Sequence, residues 1–188
     1  MRIISGKFKN KKIAQPLDNK TRPLKDITKE SIFNILHHSK LIHTEIENSK
    51  VLDLFSGSGS FGLECISRGA NEVIFCENYL PAVKILEQNI KKLDCSKSVD
   101  IIKENTFEIL KKKKLNKKFN IIFLDPPFNE KNIAELLNDL KKSNLLDDNG
   151  IIILHRNKKS KDNFTENCKV IIEKIYGLSK IHFIIFNS

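Results

Sequence analysis

The 188-residue chain predicts an α/β fold: a seven-stranded, mostly parallel sheet between helices, with a C-terminal antiparallel hairpin and a small basic N-terminal extension. Three observations predict it. Between residues 50 and 154, five short apolar runs alternate with stretches of helical period. Beyond residue 168, two strand-like runs are separated only by Tyr176-Gly177-Leu178-Ser179, which reads as a hairpin. Residues 1–25 hold eight Lys or Arg against one acid, Asp18, and so stand apart from the rest of the chain. The chain divides into an extension over 1–49 and a main domain over 50–188. Hydrophobic residues make up 40 % and charged residues 30 %, which excludes wholesale disorder. A chain of this size buries roughly 70 % of its unfolded surface and needs no disulfide or metal to hold it.

Taken in order, Arg2–Ser5 and Lys11–Ala14 read as two short strands around Gly6 and a basic turn. Pro16 and Pro23 make a loop, and Asp26 or Thr28 caps a helix running to about His38, with Ile32, Ile35 and Leu36 on one face. After a polar linker, Val51–Phe55 is a buried strand and Ser60–Arg68 a helix stopped by Gly69. Glu72–Cys76 is the second strand, and Leu80–Lys92 a helix that tolerates Pro81 in its first turn, where no N–H is needed. Val99–Ile102, Asn120–Leu124 and Gly150–Leu154 complete the parallel set, with helices over Thr106–Lys113 and Lys131–Lys142 between them. Lys169–Ile175 and Lys180–Phe186 form the hairpin.

Charge and cysteine usage narrow the classes. The net charge of +10 is uneven: residues 1–25 carry +7 and the lysine run 111–118 another +6. Clustered positive charge suits a polyanion, because binding phosphates releases condensed counterions. The bland alternative is a lysine-biased composition, since 29 of 33 basic residues are lysine, but bias explains the total better than the distribution. The cysteines Cys65, Cys76, Cys95 and Cys168 are scattered without C-x-x-C pairs, so reduced thiols and no metal site are expected. No apolar run approaches the about 20 residues of a membrane span, and the first residues have no secretory hydrophobic stretch. A cytoplasmic protein, without membrane contact and monomeric for want of a heptad seam, is the expectation.

Two motifs carry chemistry. The first strand runs into Asp53-Leu54-Phe55-Ser56-Gly57-Ser58-Gly59-Ser60-Phe61-Gly62, a glycine loop at the edge of a parallel sheet where ligands bind. Gly57, Gly59 and Gly62 satisfy G-x-G-x-x-G, a weak signal alone, and a tight turn without ligand is the plain alternative. Asp53 lies where a dinucleotide's phosphates would sit and would repel them. The same residues suit S-adenosylmethionine: Asp53 faces its cationic end, and Glu77, ending the second strand, accepts from the ribose hydroxyls. Glu77 would serve an adenosine under either cofactor and does not arbitrate.

The second motif, Asp125-Pro126-Pro127-Phe128, ends the fourth parallel strand. Two prolines stop the strand, fix the backbone and leave carbonyls as acceptors. An acid beside a rigid carbonyl can hold both hydrogens of an exocyclic amine, so that its lone pair faces an electrophilic methyl. Phe128 offers a flat surface to an extruded base, a contact worth about 1–3 kcal/mol. An Asx turn with a core phenylalanine is the alternative for the tetrapeptide alone. Both motifs end neighbouring strands beside the switch point of the sheet, and Asn105 lies on the same edge, either against an adenine or as a helix cap.

In these residues the chain resembles the class I S-adenosylmethionine-dependent methyltransferases of Rossmann-like fold, in the amino-methylating branch marked by (D/N)-P-P-(Y/F/W). It is most similar to the RsmD family of bacterial 16S rRNA guanine-N2 methyltransferases. Arg2-Ile3-Ile4-Ser5-Gly6-Lys7-Phe8-Lys9-Asn10-Lys11-Lys12-Ile13 resembles the family's opening block, and Thr21-Arg22-Pro23 with Asp26 and Lys29-Glu30-Ser31-Ile32-Phe33-Asn34 its second. Leu52 to Glu64 with Ser67-Arg68-Gly69-Ala70 resembles its cofactor segment, and Phe123 to Phe128 its catalytic one. Leu24, Asn10 and Leu154-His155-Arg156 depart from the pattern, the last where an acid commonly follows the apolar run, which leaves His155 without an assigned role.

The resemblance implies methyl transfer to guanine 966 of 16S rRNA, in the 30S subunit or an assembly intermediate. Asp125, Pro126, Pro127 and Phe128 would be catalytic, and Asp53, Phe55, Gly57, Ser58, Gly59, Glu77 and Asn105 would hold the cofactor. Arg2, Lys7, Lys9, Lys11, Lys12 and Arg22 would face RNA. The rivals are a DNA adenine or cytosine amino-methyltransferase, against which the chain offers no target-recognition domain, a protein glutamine methyltransferase, and a non-catalytic or NAD-binding module.

Overall fold

The computed structural model describes residues 1–16 and 24–187. Helix α1 (Asp26–His38) precedes β1 (Lys50–Leu54), α2 (Ser60–Ser67), β2 (Glu72–Cys76), α3 (Leu80–Leu93) and β3 (Val99–Ile102). Then come α4 (Thr106–Lys111), β4 (Phe119–Leu124), α5 (Ile133–Lys142), β5 (Leu146–Asn157), β6 (Cys168–Tyr176) and β7 (Ser179–Phe186). The seven strands form one sheet in the order β3-β2-β1-β4-β5-β7-β6. β1 to β5 are parallel, and β7 enters antiparallel between β5 and β6. The hairpin is therefore seated by its second strand, and its first strand, β6, becomes the sheet edge.

The side-chain period of two sorts each strand between two cores. Val51, Val73, Phe75, Ile121, Phe123, Ile151, Ile153, Ile181 and Phe183 pack in one core with α1, α2, α3 and the N-terminal residues Ile3, Phe8 and Ile13. Leu52, Leu54, Ile74, Ile122, Leu124, Ile152, Leu154 and Ile184 pack in the other with α4 and α5. Both faces are covered, which is why these strands read as continuous apolar runs rather than alternating ones.

Residues 1–16 fold back on α2 instead of forming two strands. The expected ladder is shortened to one bridge, Arg2 to Lys12, flanked by backbone hydrogen bonds from the Ile3 amide to the Lys11 carbonyl, from Asn10 to Ile3 and from Ile13 to Met1. Its next donors go elsewhere: the Ile4 and Ser5 amides donate to the two oxygens of Glu64, at 2.7 and 2.9 Å. Gly6 has φ +79°, and a Cβ there would lie 1.8 Å from the Ser67 carbonyl oxygen, so only glycine allows this approach. Lys29, fully buried, completes the junction by donating to the Arg2 carbonyl at 2.8 Å, with Glu64 3.5 Å away. Burial is the main cause that lowers its ammonium pKa, against the pull of Glu64.

Boundaries elsewhere follow local chemistry. Lys25, not Asp26 or Thr28, occupies the cap of α1 and makes no side-chain cap; Asp26 instead begins the helix, where its charge favours the positive helix end. α4 ends early because Lys113 takes φ +47°, a left-handed stop. β5 begins earlier than the apolar run because Leu146 pairs with Phe119 ahead of a bulge.

Candidate functional site

The strand ends that carry both motifs are neighbours. β1 pairs with β4 so that Asp53 lies opposite Phe123 and Leu54 opposite Leu124; one step further the chain reaches Asp125. Between these ends lies a cleft of about 520 Å³, within the usual range for small-molecule sites. Asp53, Phe55, Gly57, Ser58, Glu77 and Asp125-Pro126-Pro127-Phe128 all line it. Gln15, Pro16 and Leu24 line it as well, so the N-terminal extension forms part of its wall. The apolar periodicity gives no sign of those three, because a loop carries no period.

Each cofactor-loop residue has a defined local cause. Phe55 turns out of β1 with φ +63°, a conformation an aromatic residue rarely takes, and its ring meets Phe107 edge-on at 6.2 Å. Gly59, at the N-cap just before α2, has φ +80°, and a Cβ there would sit 2.4 Å from Leu86, so the loop must lie close against α3. Gly59 itself does not line the cleft; its place is beneath the loop. Asn89 of α3 donates to the Ser58 carbonyl and to the Ala14 carbonyl, both at 3.0 Å, and ties the loop to the N-terminal segment.

Three carboxylates face the cleft. Asp53 is 1 % exposed; its Oδ2 accepts from the Gly62 amide at 3.0 Å, and its buried Oδ1 has no partner among the described residues. Burial pushes its pKa well above the ordinary range, and the charges of Asp125 and Glu77 add to the rise, while the Gly62 amide opposes it. Glu77 accepts from the Gly57 amide at 2.8 Å and from the Tyr79 amide at 2.8 Å, which fixes its carboxylate at the tip of β2. Each oxygen has a second lone pair for a hydroxyl. A cleft with three acids attracts a cationic ligand and repels a pyrophosphate.

Asn105 caps α4: its Oδ1 accepts from the Phe107 amide at 2.9 Å, and it is not among the cleft-lining residues. Arg2, Lys7, Lys9, Lys11 and Lys12 are exposed on the N-terminal segment, with the ammonium groups of Lys7 and Lys11 over the Phe8 ring at 4.9 and 5.0 Å. Arg22 lies outside the described residues. The lysine run differs: Lys111, Lys112, Lys114, Lys117 and Lys118 pair with Glu135, Glu108, Glu104, Glu72 and Asp148. Its charge is locally answered, which no reading of charge along the chain could reveal.

Two residues at the end of β5 emerge only from the structure. His155 Nδ1 lies 2.8 Å from Asp125 Oδ1, and its Nε2 lies 2.9 Å from Ser179 Oγ. Arg156 donates to the Pro127 carbonyl at 3.0 Å, to the Glu130 carbonyl at 2.7 Å and to both oxygens of Asp162. Among the described residues no group of three His, Cys, Asp or Glu could hold a metal, and no helix is long and apolar enough to cross a membrane.

The family model described as conserved hypothetical protein 95 matches residues 1–185. The chain is 33 % identical to ribosomal RNA small subunit methyltransferase D of Buchnera aphidicola subsp. Baizongia pistaciae, over 99 % of this chain and 91 % of that one. Identity is 31 % to the protein of the same name from Haemophilus influenzae, over 95 % and 90 %. Among solved structures, yhhF of Escherichia coli, described as a candidate methyltransferase, superposes with a TM-score of 0.83 at 26 % identity, covering 98 % of this chain and 96 % of that one.

Proposed function

The chain belongs to the RsmD family of methyltransferases, and on that premise we propose that it transfers a methyl group from S-adenosylmethionine to the exocyclic N2 of a guanine in small-subunit rRNA. The observation that carries this reading is one cleft walled by both the buried acid Asp53 and the Asp125-to-Phe128 loop. The orphan Oδ1 of Asp53 fits a cationic donor. Asp53 would face the cofactor's charged end, Gly57 and Ser58 its methionine part, and Glu77 its ribose. When bound, the cofactor supplies an already activated methyl, so the protein's task is alignment.

Asp125 accepts a hydrogen bond from the target amine, the Pro126 carbonyl takes the second amine hydrogen, and Phe128 stacks against the base. Among the described residues no cysteine lines the cleft, so none of them is placed to attack the base covalently. The exposed cations Arg2, Lys7, Lys9, Lys11 and Lys12 contact the RNA backbone. By family resemblance the target is guanine 966 of 16S rRNA, met in the 30S subunit or an assembly intermediate.

The test supplies labelled S-adenosylmethionine to 30S subunits lacking the modification, to naked 16S rRNA and to DNA, followed by nucleoside analysis. N2-methylguanosine in a single RNA fragment is the expected product; label in DNA or protein would sink the substrate assignment. Asp125→Ala should lower transfer by at least about 10²-fold while cofactor affinity stays within about threefold, since an aligned acceptor is worth at least that much.

A further inference from the structure

We propose that His155 is a positioning residue for methyl transfer. It commits one oxygen of Asp125 to the protein and thereby aims the other at the target amine. This rests on the reading above that Asp125 receives that amine.

The sheet register builds the contact. β4 and β5 pair Phe123 with Ile153 and Leu124 with Leu154, so the next step sets Asp125 beside His155. β7 runs antiparallel against β5 with Ile181 opposite His155, and Ser179 lies two residues along on the same face. The imidazole is 1 % exposed and is bonded at both nitrogens, 2.8 Å to Asp125 Oδ1 and 2.9 Å to Ser179 Oγ. An ionised carboxylate only accepts, so Nδ1 carries the hydrogen. In the neutral ring Nε2 then accepts, and the Ser179 hydroxyl donates to it. Both ring nitrogens are thus engaged, and Asp125 Oδ2 is left for a donor in the cleft.

A Ser-His-Asp row of this spacing invites comparison with a hydrolytic triad, where the serine meets the substrate. Here access is reversed. Ser179 is 5 % exposed and absent from the cleft wall, whereas Asp125 lines it. The row cannot present a nucleophile, so it acts on the carboxylate. The same imidazole meets the Phe128 ring edge-on, with centroids 5.6 Å apart at 75°. One side chain therefore braces both the acceptor of the amine and the ring on which the base stacks. Without it Asp125 is free to rotate, and a displacement of about 1 Å at a reacting group costs about 10² in rate.

The experiment compares His155→Ala, His155→Asn, Ser179→Ala, Asp125→Asn and the double variant His155→Ala/Asp125→Asn, with 30S subunits as acceptor. His155→Ala should lower kcat about 10- to 100-fold, with KM for the acceptor and cofactor affinity within about threefold. His155→Asn, whose amide can donate from the Nδ1 position, should recover most of the loss. Ser179→Ala, which removes only the far anchor, should show a smaller fall in kcat. In the Asp125→Asn background, which keeps an acceptor oxygen, His155→Ala should cost less than about threefold more, because coupled residues are not additive. A wild-type kcat in folded His155→Ala, or an equal loss in both backgrounds, would overturn the proposal. A wild-type rate in Asp125→Ala would instead overturn the reading of Asp125, and with it the role given to His155.

Discussion

At the C-terminal end of β1, Asp53 places one carboxylate oxygen on the Gly62 amide and leaves the other buried and, among the described residues, unpartnered at the cleft. Its raised pKa means that the folded protein keeps a proton that the unfolded chain releases near pH 4. Stability from this group is therefore complete below the unfolded pKa and falls as pH rises through the window above it. Asp53→Asn should stabilise the cofactor-free protein at pH 8, because it removes the group whose proton the fold must hold or whose charge it must bury there. The gain should shrink as pH falls toward 4, and binding of S-adenosylmethionine should weaken at least tenfold. Thermal unfolding at both pH values with a titration of cofactor checks this; an equal gain at both would defeat the argument from burial. A side chain that lowers stability in the free protein and fits a cation when loaded is an expected mark of a binding site.

At the scale of elements, the end of β5 acts as a bracket for the loop after β4. Arg156 projects toward the opposite face from His155 and grips that loop by its backbone, at the Pro127 and Glu130 carbonyls, while pairing with Asp162. The guanidinium side chain is 3 % exposed and the Asp162 side chain 5 %, so neither charge can turn to water. Arg156→Ala should destabilise the fold by about 3–5 kcal/mol, the range for a buried pair that loses one member. Asp162→Ala in the same chain should restore part of it, since the stranded charge is then gone. Urea midpoints for the two single variants and the double measure the coupling; strict additivity would show that the pair is not the source. The strand positions were readable from their apolar runs, and so was the loop's chemistry. The bracket was not, because a buried His-Arg pair after an apolar strand has no period or spacing of its own.

The whole molecule divides its positive charge into two kinds. In the run 111–118, five lysines meet acids from α4, α5 and the strand ends. Such exposed pairs add little stability, because solvent screens them, but they cancel the local field. Lys7, Lys9, Lys11 and Lys12 are exposed and, among the described residues, form no ion pair. The segment bearing them continues into Gln15 and Pro16 at the cleft wall, so a phosphate chain held there runs toward the site. Replacing these four lysines with glutamine should weaken RNA binding and flatten its dependence on log salt by about 0.7–0.9 for each phosphate no longer neutralised. The same change at Lys111, Lys112, Lys114 and Lys117 should leave the slope nearly unchanged. Fluorescence anisotropy over a salt series measures both, and equal slopes for the two variants would remove the distinction.

The sequence by itself determined the α/β architecture, the order of elements and the two motifs, because period, proline and glycine act on the backbone within a few residues. It also determined that Asp53, Glu77 and Asp125 belong to one sheet edge, since parallel strands joined by helices bring their C-terminal ends together. Only the tertiary structure decided that Asn105 caps a helix, that Glu64 and Lys29 seat the N-terminal segment on α2, and that the 111–118 lysines are answered by acids up to 45 residues away. It alone placed His155 between Asp125 and Ser179, because that depends on the register between β4, β5 and a β7 inserted out of chain order. Interactions closed within a turn or a strand leave their pattern in the sequence. Those made by side chains from distant segments depend on which strands become neighbours, and packing of the whole core sets that.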